Sequence, residues 1–596
     1  MKPEKWSLAA LVLLSLLLPL AGIKWDNPGL DRSRRVLSPD WDRAKLFDAL
    51  ASGWQDLYDK SRGATPLLAE TGGKYATRLK GAVKVDFNKN LPPAFLFNSY
   101  RSMLIRSRYP DEALPLSDLA QMKPAQLNFR PPSFLYGGGY LYPLGAYYLA
   151  LSKTGLIRRL PMRRMLEEPD ALGRIYTAGR FLSALSFAGI CLMCFFIARE
   201  LSNFSAGALA FAAALTTPVL LTHSCYLLPH VWSTFWAMAF IFLFIKAMQA
   251  PHFDPFGKTA GQAQGLKLPV LSGVCLGISA GSYWSQLHIL IFPAALLLSL
   301  GKGLLRKDVL VKAAAAAAGG ALVFIMLNPY LLIEWRTALM EWKTASGADP
   351  GALHHAYPAK LAALFTKTLP RTIGITCTLA VIGGYIWGLL SGKPAVKSLA
   401  AACLIMALLV APAIPADIPA WIRRFFPWLM VSLLLSAAAL EALLSRLSGF
   451  WKAPLLILFL LPGSLMSFTY AYNFALASGP GSTFFRMADE LDAMKPDGRL
   501  GLLEFPQPAY TPHFRLDRWP LLFVTAGGLA SLGGREPPPY LLVTFHQKNS
   551  VLKVLDDKYE LLRGFYPEQV LGFRIDPALS AANIPVELYK LKGPEK

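Results

Sequence analysis

The sequence predicts an all-α polytopic membrane protein of about 11 transmembrane helices, with a long first outer loop of interfacial helices and a small C-terminal α/β domain outside the membrane. Three observations predict it. The chain is 54% hydrophobic and only 16% charged, with a mean hydropathy of +0.37. Its apolar residues come in blocks rather than periodic stripes, and a hydrocarbon core about 30 Å thick takes roughly 20 such residues per helix. Two long stretches, 24–173 and 473–596, break that pattern with mixed polar sequence.

The blocks begin at Trp6, Ala178, Ser205, His230, Leu268, Leu287, Val309, Ile373, Leu399, Phe425 and Ala453. The stretch 268–300 fits two short spans turning at 283–288, or one span and a re-entrant piece. Lys2 and Lys5 ahead of the first block also fit a secretory signal. The length of that block and the poor cleavage sequence Leu20-Ala21-Gly22-Ile23-Lys24 favour an uncleaved anchor.

Short loops set the orientation. Arg199, Lys246, Lys258, Lys267, Lys302, Arg306, Lys307, Lys312, Lys393, Lys397, Arg446 and Lys452 fall on one side. The loops near Leu227 and Ser285 carry no Lys or Arg, and the one near Ala420 carries Arg423 and Arg424. The basic side is cytoplasmic by the positive-inside rule. The N-terminus is then inside, and the loop 24–173, the loop 334–371 and everything after about 471 lie outside. The net charge of +22 follows largely from this topology and does not point to nucleic acid. Basic patches at 32–35 and 158–164 suit anionic lipid headgroups or phosphates. All six cysteines lie in or at the edge of apolar blocks, so no disulfide framework holds the exported parts. Cys191 and Cys194 read as small packing residues.

Residues 1–472 form the predicted membrane domain and 473–596 the outer domain, joined through the Gly/Ser/Pro linker 478–482. The outer domain reads as helices at 484–494 and 551–563 and strands at 500–505, 540–545, 570–575 and 586–591. It has no Gly-rich phosphate fingerprint and no nucleophile motif, which points to a structural or acceptor-binding module. In the first outer loop, the amphipathic stretches 42–59 and 115–122 suit helices lying on the membrane surface. The stretch 140–157 reads as an interfacial or re-entrant helix, because a span there would reverse the side of every later basic loop.

That outer loop carries the adjacent carboxylates Asp111 and Glu112, after Tyr109-Pro110. Acids in a large exported segment point to chemistry at the membrane surface, although Pro-Asp-Glu is also an ordinary helix start. Asp40, in Ser38-Pro39-Asp40-Trp41-Asp42, is a rival closer to the first span. His223 and His230, and the pair His354-His355, read as metal or phosphate ligands or as polar packing.

The order Pro110-Asp111-Glu112, Leu127-Asn128-Phe129, Phe134-Leu135-Tyr136-Gly137 and Gly179-Arg180-Phe181-Leu182-Ser183-Ala184-Leu185 resembles the first half of the GT-C superfamily membrane glycosyltransferases. It resembles the bacterial members akin to protein O-mannosyltransferases and lipid A aminoarabinose transferases. Leu327-Asn328-Pro329-Tyr330 and Arg423-Arg424-Phe425-Phe426-Pro427 extend the likeness, in order, to about residue 470.

The resemblance implies inverting transfer of a sugar from a polyprenyl-phosphate carrier to a lipid, glycan or protein acceptor. The reaction would run on the outer face of a bacterial cytoplasmic membrane, in contact with membrane lipid. It implies Asp111 as general base, with Glu112 orienting it or binding acceptor or metal. Arg180, Arg423 and Arg424 would meet the leaving phosphate, although Arg423 and Arg424 also read as headgroup anchors. Relatives often carry a second acid where His230 stands, so no cofactor is certain and a divalent cation stays open. Two other classes share this topology. A lipid-linked glycan polymerase or ligase centres its chemistry on a late outer loop. A lipid or sugar transporter shows intramembrane charges or broken helices in paired halves.

Overall fold

Every predicted apolar block coincides with a helix in the computed structural model, which describes residues 3–60, 82–85, 87, 91–249, 262–346, 357–414, 419–530 and 536–593. Seven helices are long and apolar enough to cross a membrane: Pro169–Leu201, Pro229–Gln249, Gly265–Ser282, Lys307–Leu327, Pro394–Ala413, Pro419–Arg446 and Gly449–Leu476. Phe204–Leu215 followed by Pro218–Ser224, at a bend of 63°, is a broken span or a re-entrant loop, and counts as an eighth crossing in the first case. The break follows from Pro218, which has no N–H to continue the ladder, and from Thr216 and Thr217, whose hydroxyls bond back to Ala212 and Ala213. The predicted spans at Trp6, Leu287 and Ile373 are the shorter helices Ala9–Leu20, Ser285–Leu298 and Ile375–Leu390. Length and composition therefore support seven or eight crossings among the described residues, not eleven.

Spans pack through small residues where backbones must approach. A Cβ on Gly273 would meet the Ala316 carbonyl oxygen at 2.2 Å, and one on Gly277 the Gly320 oxygen at 2.6 Å. This is close small-residue packing of the kind membrane helices use. Leu322, Met326, Leu379, Leu390 and Leu458 project outward from the bundle, as lipid contact requires. Two contacts gather the basic ends of the spans together. Lys246 pairs with Glu200, and Lys393 Nζ donates to the Leu201 carbonyl at 3.3 Å.

Beyond the bundle lies a six-stranded sheet of β1 (Ala82–Val85), β2 (Leu500–Leu502), β3 (Leu521–Val524), β4 (Tyr540–Thr544), β5 (Tyr559–Phe565) and β6 (Val586–Leu591), in the order β1-β3-β2-β4-β6-β5. β2 runs parallel to β3 and β4, and the remaining pairings are antiparallel. β1 comes from the first outer loop, with Ala82 opposite Val524. The boundary at 472–473 therefore divides one unit that the loop and the tail build together. Their core is also joint. Leu46, Leu50, Tyr100 and Met103 of the loop pack with Phe484, Met487, Leu500 and Leu588 of the tail.

That shared core corrects the reading of 42–59 as a helix on the membrane surface. In Arg43–Lys60, Leu46, Phe47 and Leu50 are already covered by protein. Ala113–Gln121, at the predicted 115–122, likewise packs Leu114 inward beside Tyr140 and Leu144. Two further corrections fall in the tail. The predicted helix 551–563 is the helix Phe545–Lys558 running directly into β5. The predicted strand 570–575 holds only an isolated bridge, Val570 to Phe573. Its surroundings clamp the sheet to the span ends instead: Arg371 forks onto Asp576 at 2.6 and 3.0 Å, and Asn583 reaches Asn473 at 2.8 Å.

Candidate active site

The segment 107–113 enters the outward ends of the spans and is fixed from behind by a buried charge cluster. Asp26 takes Arg32 at 2.9 Å and Arg108 at 3.1 Å. Burial alone would raise the Asp26 carboxyl, but the two guanidiniums hold it below the usual range. Downstream, the run Gly137-Gly138-Gly139 lets the helix Gly138–Lys153 start hard against two spans. A Cβ on Gly138 would meet the Leu327 carbonyl oxygen at 1.9 Å, and the Gly138 N–H donates to Asn328 Oδ1 at 3.0 Å.

Pro110–Glu112 is a single 3₁₀ turn. At three residues per turn, neighbouring side chains diverge by about 120°. The two carboxylates therefore part company.

Glu112 turns inward and is fully buried, as is Arg180. Arg180 Nε and Nη2 donate to its two oxygens at 2.8 and 2.7 Å, and Ser107 Oγ and the Leu227 N–H also donate to the carboxylate. Arg180 Nη1 is taken by the Trp25 carbonyl at 2.6 Å and Asn27 Oδ1 at 2.8 Å. In this arrangement neither group presents a free edge. The hydrogen-bonding capacity of both groups is taken up by protein partners. Together they staple the outer loop to the spans. Breaking such a buried pair from one side costs about 3–5 kcal/mol.

Asp111 turns outward, with its side chain 38% exposed, and its Oδ2 takes Arg423 Nη2 at 3.1 Å. Arg423, 14% exposed, also donates to the Tyr109 hydroxyl, and Tyr109 lies flat on Tyr226 at 4.2 Å. Asp111 Oδ1 takes no hydrogen bond among the described residues. Arg424 stacks over Trp421 at 4.2 Å, half-buried beside the pair. The structure thus brings together Asp111 and Arg423, with Arg424 next in the chain and within electrostatic reach of His230, and it adds Tyr109, which the sequence reading did not single out as a site residue.

Behind the pair lies a group of rings. His230 meets Tyr283 edge-on at 4.7 Å, Tyr136 at 6.5 Å and His223 at 5.9 Å. Both nitrogens of His223, Nδ1 of His230 and Nε of Arg423 are buried without hydrogen-bond partners, as are both amide atoms of nearby Gln286. Each such atom costs about 1–3 kcal/mol, and a concentration of them on one wall marks a place for a polar guest.

The other predicted site residues fall elsewhere. Asp40 is exposed in the turn after Leu37, within electrostatic reach of Arg515 in the outer sheet unit, and apart from Asp111. His354 and His355 lie outside the described residues. Among the described residues no three His, Cys, Asp or Glu side chains gather as metal ligands, and the one oxygen of Asp111 with a partner holds Arg423.

A further carboxylate cluster borders the site. Glu341 accepts the Phe134 N–H at 2.8 Å, and burial pushes its carboxyl up to about 7. Asp118 accepts the Ser133 hydroxyl at 3.2 Å and is raised by burial too. Arg130 forks onto Glu334 next to them. These contacts pin the helix Trp335–Ser346 to the segment that carries Tyr136.

No protein-family model matches the chain, and no curated protein does. Among solved structures it is similar to the oligosaccharyltransferase of Archaeoglobus fulgidus in complex with Zn and sulfate, at 14% identity and a TM-score of 0.42, over 74% of this chain and 65% of that one. It spans a little under two thirds of that protein's length. It is similar also to ArnT from Cupriavidus metallidurans bound to undecaprenyl phosphate, at 11% identity and a TM-score of 0.39 over 98% of each chain. A third is the arabinofuranosyltransferase AftD from Mycobacteria, at 14% identity and a TM-score of 0.40 over 94% of this chain and 40% of that one.

Proposed function

We propose that this chain is an inverting membrane glycosyltransferase that moves a sugar from a polyprenyl-phosphate carrier to a hydroxyl acceptor outside the cytoplasmic membrane. The observation that carries the reading is Asp111, outward-facing and held by Arg423 through one oxygen only. Its free oxygen takes the proton of the acceptor hydroxyl as general base. The acceptor oxygen attacks the anomeric carbon, and the carbon–oxygen bond to phosphate breaks with its electron pair leaving on the lipid phosphate. Attack opposite the leaving group inverts the centre. Arg424, with the guanidinium of Arg423 beside it, supplies positive charge where the leaving phosphate gains its own. The apolar spans beneath suit the polyprenyl tail. The acceptor is a lipid, glycan or protein of the cell envelope, approaching from the side of the outer sheet.

The test is transfer of radiolabelled sugar from polyprenyl-phosphate donors in membranes supplied with cell-envelope acceptors. Wild type transfers and Asp111→Asn, at matched expression, does not. Equal transfer by both removes Asp111 from the reaction, and transfer by neither removes the reaction class.

A further inference from the structure

We infer that the wall behind the Asp111–Arg423 pair, formed by Tyr136, His223, His230 and Tyr283, seats the sugar of the donor, and that this sugar is uncharged and rich in hydroxyls. The inference rests on the proposed transfer and narrows its substrate class.

The first ground is the pattern of unmet hydrogen bonds. His223 offers both ring nitrogens, His230 offers Nδ1, and Arg423 offers Nε, all buried and without partners. A neutral imidazole carries one donor and one acceptor. A hydroxyl has the same double character, whereas an ammonium only donates and a carboxylate only accepts. The second ground is shape. Tyr136, Tyr283 and His230 stand edge-to-face around one another, with centroids 4.7 to 6.5 Å apart, so flat rings and unpartnered polar atoms share one buried wall. Flat rings beside placed donors and acceptors suit a sugar ring, which has both C–H faces and hydroxyl edges.

The third ground is charge. The two carboxylates of the segment are already paired, Asp111 with Arg423 and Glu112 with Arg180. A protonated amino sugar would face two imidazoles and a guanidinium, and would compete for the one open oxygen of Asp111 that must take the acceptor proton. An acidic sugar would draw the Arg423 guanidinium toward itself and away from Asp111 and the leaving phosphate. A neutral hexose or pentose disturbs neither pair.

The experiment measures binding to the full-length protein in lipid nanodiscs, with polyprenyl phosphate alone and with the same lipid carrying a neutral hexose, a free-amine hexosamine or a hexuronate. In wild type the neutral sugar should strengthen binding about tenfold over bare polyprenyl phosphate, the scale of one net hydrogen bond. The amine and the acid should add nothing. His230→Phe should lose the sugar increment while holding bare polyprenyl phosphate as wild type does, and His230→Gln, which keeps a donor and an acceptor, should recover part of it. Unchanged unfolding temperatures in both variants tie the loss to the sugar. An increment that survives His230→Phe and His223→Phe overturns the inference, and so does preference for the amine or the acid. Loss of the increment on adding a chelator also overturns it, in favour of a metal bridging the two imidazoles. Bare polyprenyl phosphate bound without any sugar increment overturns the sugar seat alone. No binding of bare polyprenyl phosphate by wild type overturns the transferase reading, and this inference with it.

Discussion

Asp111 and Glu112 are neighbours in sequence and opposites in the fold. Each is paired with an arginine from a distant span, yet one pair stands at the mouth of the bundle and the other is sealed inside it. The outer pair leaves an oxygen of Asp111 open. The inner pair satisfies both oxygens of Glu112 and fixes the loop that carries Asp111. Under the proposed transfer, a single 3₁₀ turn parts chemistry and scaffolding between adjacent side chains.

The contrast can be broken most forcefully from the inside. Arg180→Ala should destabilise the protein by about 3–5 kcal/mol, because Glu112 is left buried without a countercharge. Thermal unfolding in detergent measures this, and transfer should fall only with the amount folded. Normal stability with lost transfer would instead make the inner pair part of the chemistry. At the mouth, Asp111→Asn should cut transfer by about 10²–10⁴-fold, the usual weight of a general base, with the unfolding temperature unmoved.

A smaller effect is expected where the site is only positioned. Gly138→Ala drives a Cβ to 1.9 Å from the Leu327 oxygen, so backbone must shift. A loss of about 1–3 kcal/mol should follow, as for overpacked cores.

Glu341 gives a pH-dependent contact. Its folded-state pKa, raised by burial to about 7, exceeds the ordinary carboxyl value, so the folded form holds the extra proton. Stability from this group is fully present below the ordinary value near pH 4.5 and is lost as pH rises toward about 7. Hydrogen exchange along Trp335–Ser346 should therefore quicken across that window, and Glu341→Gln should flatten the response. The smallest effect is predicted for Asp40→Asn, which should leave stability within about 0.5 kcal/mol of wild type and leave transfer unchanged. Loss of transfer there would move the base away from Asp111.

The spans were legible because a hydrocarbon core leaves a long apolar signature, which no local context overrides. The blocks at Trp6, Leu287 and Ile373 read as spans in the sequence and fold as apolar helices of 10–17 residues, below the length of the seven long ones. The pair Asp111-Glu112 could be picked out, but which of the two faces outward depends on a turn type that three residues do not declare. Arg423 and Arg424 were visible as basic residues at a span start. That Arg423 meets Asp111 was not, because the partners are 312 positions apart. β3, Leu-Leu-Phe-Val, is too short an apolar run to separate from a helix. β5 was hidden because helix and strand join without punctuation at Lys558. His354 and His355 stay an expectation of the sequence alone.

The sheet also sets a schedule. β1 emerges early in synthesis, but β3, the neighbour it pairs with, follows about 440 residues later. At roughly 5–20 residues per second, that strand waits on the order of 20–90 s for a partner. During that interval the loop bearing Asp111 has no finished wall behind it, and the apolar residues it shares with the tail are uncovered. A ribosome that stalls after the last span would leave a membrane bundle with its first loop open to proteases. Only a chain read through to its last strands completes the sheet and the core that the loop and the tail share.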